Sequence, residues 1–138
     1  LEDKKMAISE ATIAKYDRLV ERCHKAGIKR AIAKKKELMK VPTFIVDPRS
    51  KRQYTMYGYP FGFVNLSLSN GRTGFAQYLK HRDALGYENS VRTYQLGTNL
   101  SEFGSLCQSM ELQEAYLSAW EEILESKGIR VYVNSRID

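Results

Sequence analysis

Residues 105–133 read SLCQSMELQEAYLSAWEEILESKGIRVYV. With successive residues set about 100° apart, Leu106, Met110, Leu117, Trp120 and Leu124 fall on one side of a helix running from about Ser105 to Ser126. Leu112, Tyr116, Ala119 and Ile123 widen that side. An apolar surface this broad belongs in a core. Gly104 leaves the start of the helix open, whereas Lys127-Gly128 ends it. IRVYV then alternates, with Ile129, Val131 and Val133 pointing inward as a strand requires.

Working outward, YPFGFVNLSLS (59–69) alternates in the same way. Phe61, Phe63, Asn65 and Ser67 share one side, and Val64, Leu66 and Leu68 the other. Before it, TFIVDPRSKRQYTMYG (43–58) reads as a β-hairpin. Phe44 and Val46 alternate with Ile45, Asp47-Pro48 starts the turn, and Gln53 to Tyr57 return. After Thr73 a helix carries Phe75, Tyr78 and Leu79 and closes at Gly86. SVRTYQL (90–96) is a candidate short strand. There is no internal repeat, linker or low-complexity segment. Residues 1–138 therefore read as one α+β domain: a mostly antiparallel sheet of four to five strands, with helices packed on it. Residues 1–5 are set aside as a leader, with a start expected at Met6.

The first helix is of a different kind. Ser9 caps it, and residues 10–39 continue it up to Val41-Pro42, where the residue before proline leaves the α region. Ile13, Tyr16, Val20, Cys23, Gly27, Ala31 and Leu38 lie on one face. Lys15, Arg18, Arg22, Lys25, Lys29, Lys36 and Lys40 lie on nearly the opposite one. Unbroken, such a helix is about 45 Å long. Either it projects, or it bends near Gly27, where glycine costs about 1 kcal/mol; alternatively Gly27 admits a close neighbour.

Charge points to function more than any motif does. Residues 1–52 hold 15 Lys and Arg against 7 Asp and Glu, a net +8, and the remainder holds 7 against 9, a net −2. A basic third on a mildly acidic body suggests an anionic partner, either nucleic acid or an acidic protein surface. Arg18, Arg22, Lys25, Lys29, Lys36 and Lys40 form a stripe containing no acid, the pattern that follows a phosphate backbone. At the hairpin, Arg49, Lys51 and Arg52 precede Tyr54, Tyr57 and Tyr59. Bases stack on rings while cations hold phosphates, so this is a second candidate contact. The competing reading is that strand aromatics simply face the core.

A third candidate is Ser69, Asn70, Gly71, Arg72, Thr73 and Gly74, ahead of a helix whose free N–H groups suit phosphate. It matches neither G-x-x-x-x-G-K-[ST] nor G-x-G-x-x-G. An Asn-Gly turn with Thr73 as cap accounts for it without a ligand. A docking module for an acidic protein is the alternative function. Self-association is a variant, with Glu111 to Glu125 receiving the basic helix of a second copy.

Catalysis finds little support. His24 and His81 lack partner motifs, and no His, Cys, Asp or Glu cluster has metal-ligand spacing. No catalytic residue, metal or cofactor is expected. Cys23 and Cys107 make no disulfide framework, which favours a reducing cytoplasm. No apolar run approaches the roughly 20 residues that span a bilayer, and the first forty residues have no apolar core of a secretory signal.

Overall fold

The computed structural model describes residues 8–69, 73–88 and 91–137. Its elements are α1 (Glu10–Leu38), β1 (Thr43–Val46), β2 (Gln53–Met56), β3 (Gly62–Leu68), α2 (Gly74–His81), β4 (Leu85–Glu88), β5 (Val91–Tyr94), a 3-10 stretch (Ser101–Gln108), α3 (Met110–Ser126) and β6 (Val131–Ile137). The protein is α+β. An antiparallel sheet of order β4-β5-β3-β6 carries α3 on one face, and β1 and β2 form a separate two-stranded hairpin.

β3 is the axis of the sheet. It pairs with β6 along its whole length, from Gly62↔Ile137 to Leu68↔Val131. Val64, Leu66 and Leu68 are buried, as the alternation predicts. β5 meets β3 only at Leu66↔Tyr94 and Ser67↔Thr93. The backbone groups of β3 beyond its reach are satisfied by a side chain instead. Gln113 of α3 accepts from Val64 N at 3.0 Å and donates to Gly62 O at 2.9 Å. A buried amide can stay in the core only with such partners. On the other edge, Glu121 accepts from Val133 N and Glu114 from Ser135 Oγ, which ties α3 to β6.

α3 is shorter than the expected 105–126. Gly104 sits at φ 58 and Ser109 is extended, so the chain breaks there into a 3-10 stretch and an α-helix. Ser109 caps α3 through its side chain. Tyr116, Leu117, Trp120 and Leu124 are fully buried. Trp120 packs on Tyr94 of the sheet, with centroids 4.4 Å apart, whereas Tyr116 faces α1.

α1 runs without interruption through Gly27, and the expected bend is absent. The glycine serves contact. A Cβ at residue 27 would lie 2.6 Å from the Tyr116 ring and 2.9 Å from the Tyr116 carbonyl oxygen. Cys23, Gly27, Ala31 and Leu38 are buried along this seam. The cost of a helical glycine is offset by two helices packing at close range. Ser9 caps the helix by accepting from Thr12 N, and the helix is about 43 Å long.

α2 also ends earlier than expected, at His81 rather than Gly86. Asp83 takes a left-handed conformation (φ 58), Ala84 N returns to Leu79 O, and the chain enters β4. Gly86 lies within that strand, where a Cβ would meet the Gln95 side chain at 2.5 Å. The hairpin forms as expected, Thr43–Val46 pairing antiparallel with Gln53–Met56, but it stands apart from the four-stranded sheet. No residue from 39 to 56 belongs to the core or packs against it.

Candidate polyanion-binding surface

Arg18, Arg22, Lys25, Lys29, Lys36 and Lys40 are all exposed. From Arg18 to Lys36 the stripe spans about 27 Å of α1. The acids beside it are mostly committed elsewhere. Asp17 accepts from Arg82 Nε at 3.1 Å and Nη2 at 2.6 Å, and from the Tyr78 hydroxyl. These donors hold its carboxyl below the usual aspartate range, Arg82 first. Glu37 pairs with Lys34 at 3.0 Å, off the stripe. Glu122 of α3 takes Arg30 in a two-point pair at 2.6 and 2.7 Å, which holds its carboxyl low. Among the described residues, only Glu21 reaches into the stripe, to Lys25 at 3.0 Å. Among the described residues, Arg18, Arg22, Lys29, Lys36 and Lys40 make no ion pair. Arg30, which binds α1 to α3, is neutralised, whereas in the stripe Lys25 alone is paired among the described residues.

Arg49, Lys51 and Arg52 are exposed at the tip of the β1–β2 hairpin. Asp47 is turned inward on the loop itself. It accepts from Arg49 N at 2.9 Å and Ser50 Oγ at 3.0 Å, which keeps its carboxyl below the ordinary range. The register pairs Phe44 with Thr55 and Ile45 with Tyr54. Phe44 is 60% exposed, Val46 58% and Tyr54 47%.

The three tyrosines expected beside this tip do not share a face. β2 ends at Met56, Gly58 turns the chain at φ 84, Tyr57 packs against the core, and Tyr59 is exposed against Phe61. Two further exposed rings lie on the four-stranded sheet, of which only Tyr132 was not singled out in the sequence. Phe63 and Tyr132 stand on the sheet face away from α3, with Arg136 stacked 5.3 Å from the centre of Phe63. The alternation already put Phe63 opposite Val64; what it lacked was the finding that Phe63 and Tyr132 stay exposed on that side.

In the 69–74 stretch, Ser69 donates through its N–H and hydroxyl to Arg130 O. Thr73 caps α2 by accepting from Ala76 N at 3.2 Å. Gly74 lets α2 approach α1, because a Cβ there would lie 2.9 Å from Tyr16 Oη. Asn70, Gly71 and Arg72 lie outside the described residues.

A cleft that no single stretch of sequence announces lies at the N-terminal half of α1. Lys15, Tyr16, Arg18, Leu19 and Arg22 form one wall, and Lys127 and Ile129, where α3 turns into β6, form the other. Its volume is about 330 Å³. Periodicity finds the helical wall, but Lys127 arrives only through the tertiary fold.

The buried titratable groups form a separate cluster. Asn99 Nδ2 donates to Tyr94 Oη at 2.7 Å and to Tyr116 Oη at 3.0 Å, and His24 Nδ1 lies 2.7 Å from Tyr116 Oη. Burial raises the pKa of both phenols and pushes the Cys23 thiol up to about 12. Tyr94, Tyr116 and Cys23 are therefore uncharged at neutral pH and buried, and the cluster holds α1, α3 and the sheet together. Among the described residues, no three His, Cys, Asp or Glu are grouped to hold a metal ion, and no helix is long and apolar enough to cross a membrane. No protein-family model, curated protein or solved structure matches this chain.

Proposed function

We propose that this protein is a non-catalytic binder of nucleic acid, engaging the phosphate backbone through the outward face of α1 and the hairpin tip. The observation that carries this reading is the selective pairing of charge. Arg30, Lys34 and Arg82 have carboxylate partners, while Arg18, Arg22, Lys29, Lys36 and Lys40 have none among the described residues. A row of unpaired cations on a rigid helix keeps a high local positive potential. Counterions released from the polymer then favour binding. Arg49, Lys51 and Arg52 add basic character on a hairpin that the core does not use; Tyr54 is an exposed ring on its second strand, and Tyr59 another beyond that strand's end. The two free cysteines suit a reducing compartment, and we place the protein in the cytoplasm on that basis.

The test is binding of labelled single-stranded and duplex oligonucleotides across a salt series. The reading requires an affinity that falls linearly in log–log form, with a slope of at least about 3 in magnitude, equivalent to roughly four or more neutralised phosphates. Absence of binding at low salt would end it.

A further inference from the structure

We propose that the cleft between α1 and the α3–β6 turn is a seat for a single nucleotide, holding its phosphate on Arg18, Arg22, Lys15 and Lys127 and its base on the apolar floor. The proposal deepens the nucleic-acid reading and rests on it, since Arg18 and Arg22 belong to both the stripe and the cleft. Four of the seven lining residues are cationic, and none is acidic. A concave wall of one sign focuses the field more strongly than a convex stripe does. The charge calls for a ligand with two or more negative charges, which a phosphomonoester has and a monocarboxylate lacks. Two arginines offer the planar fork that grips phosphate oxygens at two points.

The floor sets the other half of the ligand. Tyr16, Leu19 and Ile129 are apolar and half-buried, and the stems of the lysines and arginines add to them. The Tyr16 ring is held by Phe75 and Tyr78, at centroid distances of 5.7 and 5.4 Å, and Lys15 Nζ lies 5.6 Å from its centre, so this part of the cleft is formed before a ligand arrives. A volume of about 330 Å³ falls at the small end of small-molecule sites. It suits one base and sugar, whereas an acyl chain needs an apolar channel longer than three side chains supply. Guanidinium planes at the rim stack on bases as well as binding phosphate.

The experiment titrates the full chain with adenosine monophosphate, adenosine, inorganic phosphate and a short-chain phosphatidic acid, read by calorimetry and by NMR shifts. The expected result is saturable binding of the nucleotide, roughly tenfold or more tighter than that of adenosine or phosphate, with shifts at Leu19 and Ile129. Arg18→Gln/Arg22→Gln weakens it by about tenfold or more, and Lys127→Gln by less. Lys29→Gln/Lys36→Gln, which touches the stripe but not the cleft, leaves nucleotide binding unchanged while weakening polymer binding. Phosphate or the lipid phosphate binding as tightly as the nucleotide would overturn the proposal. So would an equal loss in the Lys29/Lys36 variant, because charge anywhere on α1 would then suffice. Polymer binding without nucleotide binding removes the seat and leaves the proposed function standing. Loss of polymer binding in the unaltered protein removes the function itself.

Discussion

One side of α1 presents Cys23, Gly27 and Ala31 to α3, and the other presents Arg22, Lys29 and Lys36 to water. The first side is held by close contact, and at residue 27 only glycine fits because the Tyr116 ring and carbonyl lie against it. The second is held by nothing in the chain. Its cations are long and, Lys25 with Glu21 aside, unpaired among the described residues, and they contribute little that folding needs. A helix can therefore carry two independent messages: one fixes where it lies, and the other is free to serve a partner. Substitutions on the two sides should fail in different ways.

The largest effect belongs to the inner side. Gly27→Leu would drive a side chain into the Tyr116 ring and carbonyl, and should destabilise the protein by about 3 kcal/mol or more in urea unfolding. Tyr116→Phe comes next. It removes the hydroxyl that meets His24 and Asn99, and a loss of about 1–2 kcal/mol is expected. By contrast, Lys29→Gln with Lys36→Gln should stay within about 0.5 kcal/mol of the parent. If that outer pair unfolded the protein as readily as Tyr116→Phe, the separation of the two sides would be lost.

Smaller effects sharpen the same distinction through pH. Asp17 and Glu122 have folded carboxyls held below their ordinary values of 3.8 and 4.5 by Arg82 and Arg30. Groups depressed in this way contribute stability that is complete above those values and is lost as pH falls through the lower folded ones. Asp17→Asn with Glu122→Gln should therefore flatten the fall in melting temperature on acidification below about pH 4.5. An unchanged acid profile would mean that these pairs do not hold α1 to α2 and α3. The smallest effect distinguishes residues within the stripe. Lys25 already shares its charge with Glu21, so Lys25→Gln should lower nucleic-acid affinity less than Lys29→Gln does.

Much of the inner side was legible in advance. The stripe of Cys23, Gly27 and Ala31, the alternation in β3 and the broad face of α3 all follow from periodicity, because burial imposes it. Ser9 and Thr73 were legible as caps, since a short side-chain oxygen before a helix has one common use. What stayed hidden depends on the environment more than on the residue. Phe44 and Val46 have the composition of core strand residues, and only the absence of a covering layer leaves them exposed. The early end of α2 depends on Asp83 accepting a left-handed backbone, which no neighbouring residue signals. Lys127 could not be placed beside Arg18 from the chain, because that proximity is made by α3 returning along α1.

The most direct measurement is the salt dependence of oligonucleotide binding for Lys29→Gln/Lys36→Gln/Lys40→Gln against the parent protein, with melting temperature recorded for both. A stripe that tracks the phosphate backbone predicts a slope smaller in magnitude by about 2 to 3, at about 0.7 to 0.9 per lost phosphate contact, with folding stability unchanged. An unchanged slope in a stably folded variant would contradict the proposed role of the outer face of α1.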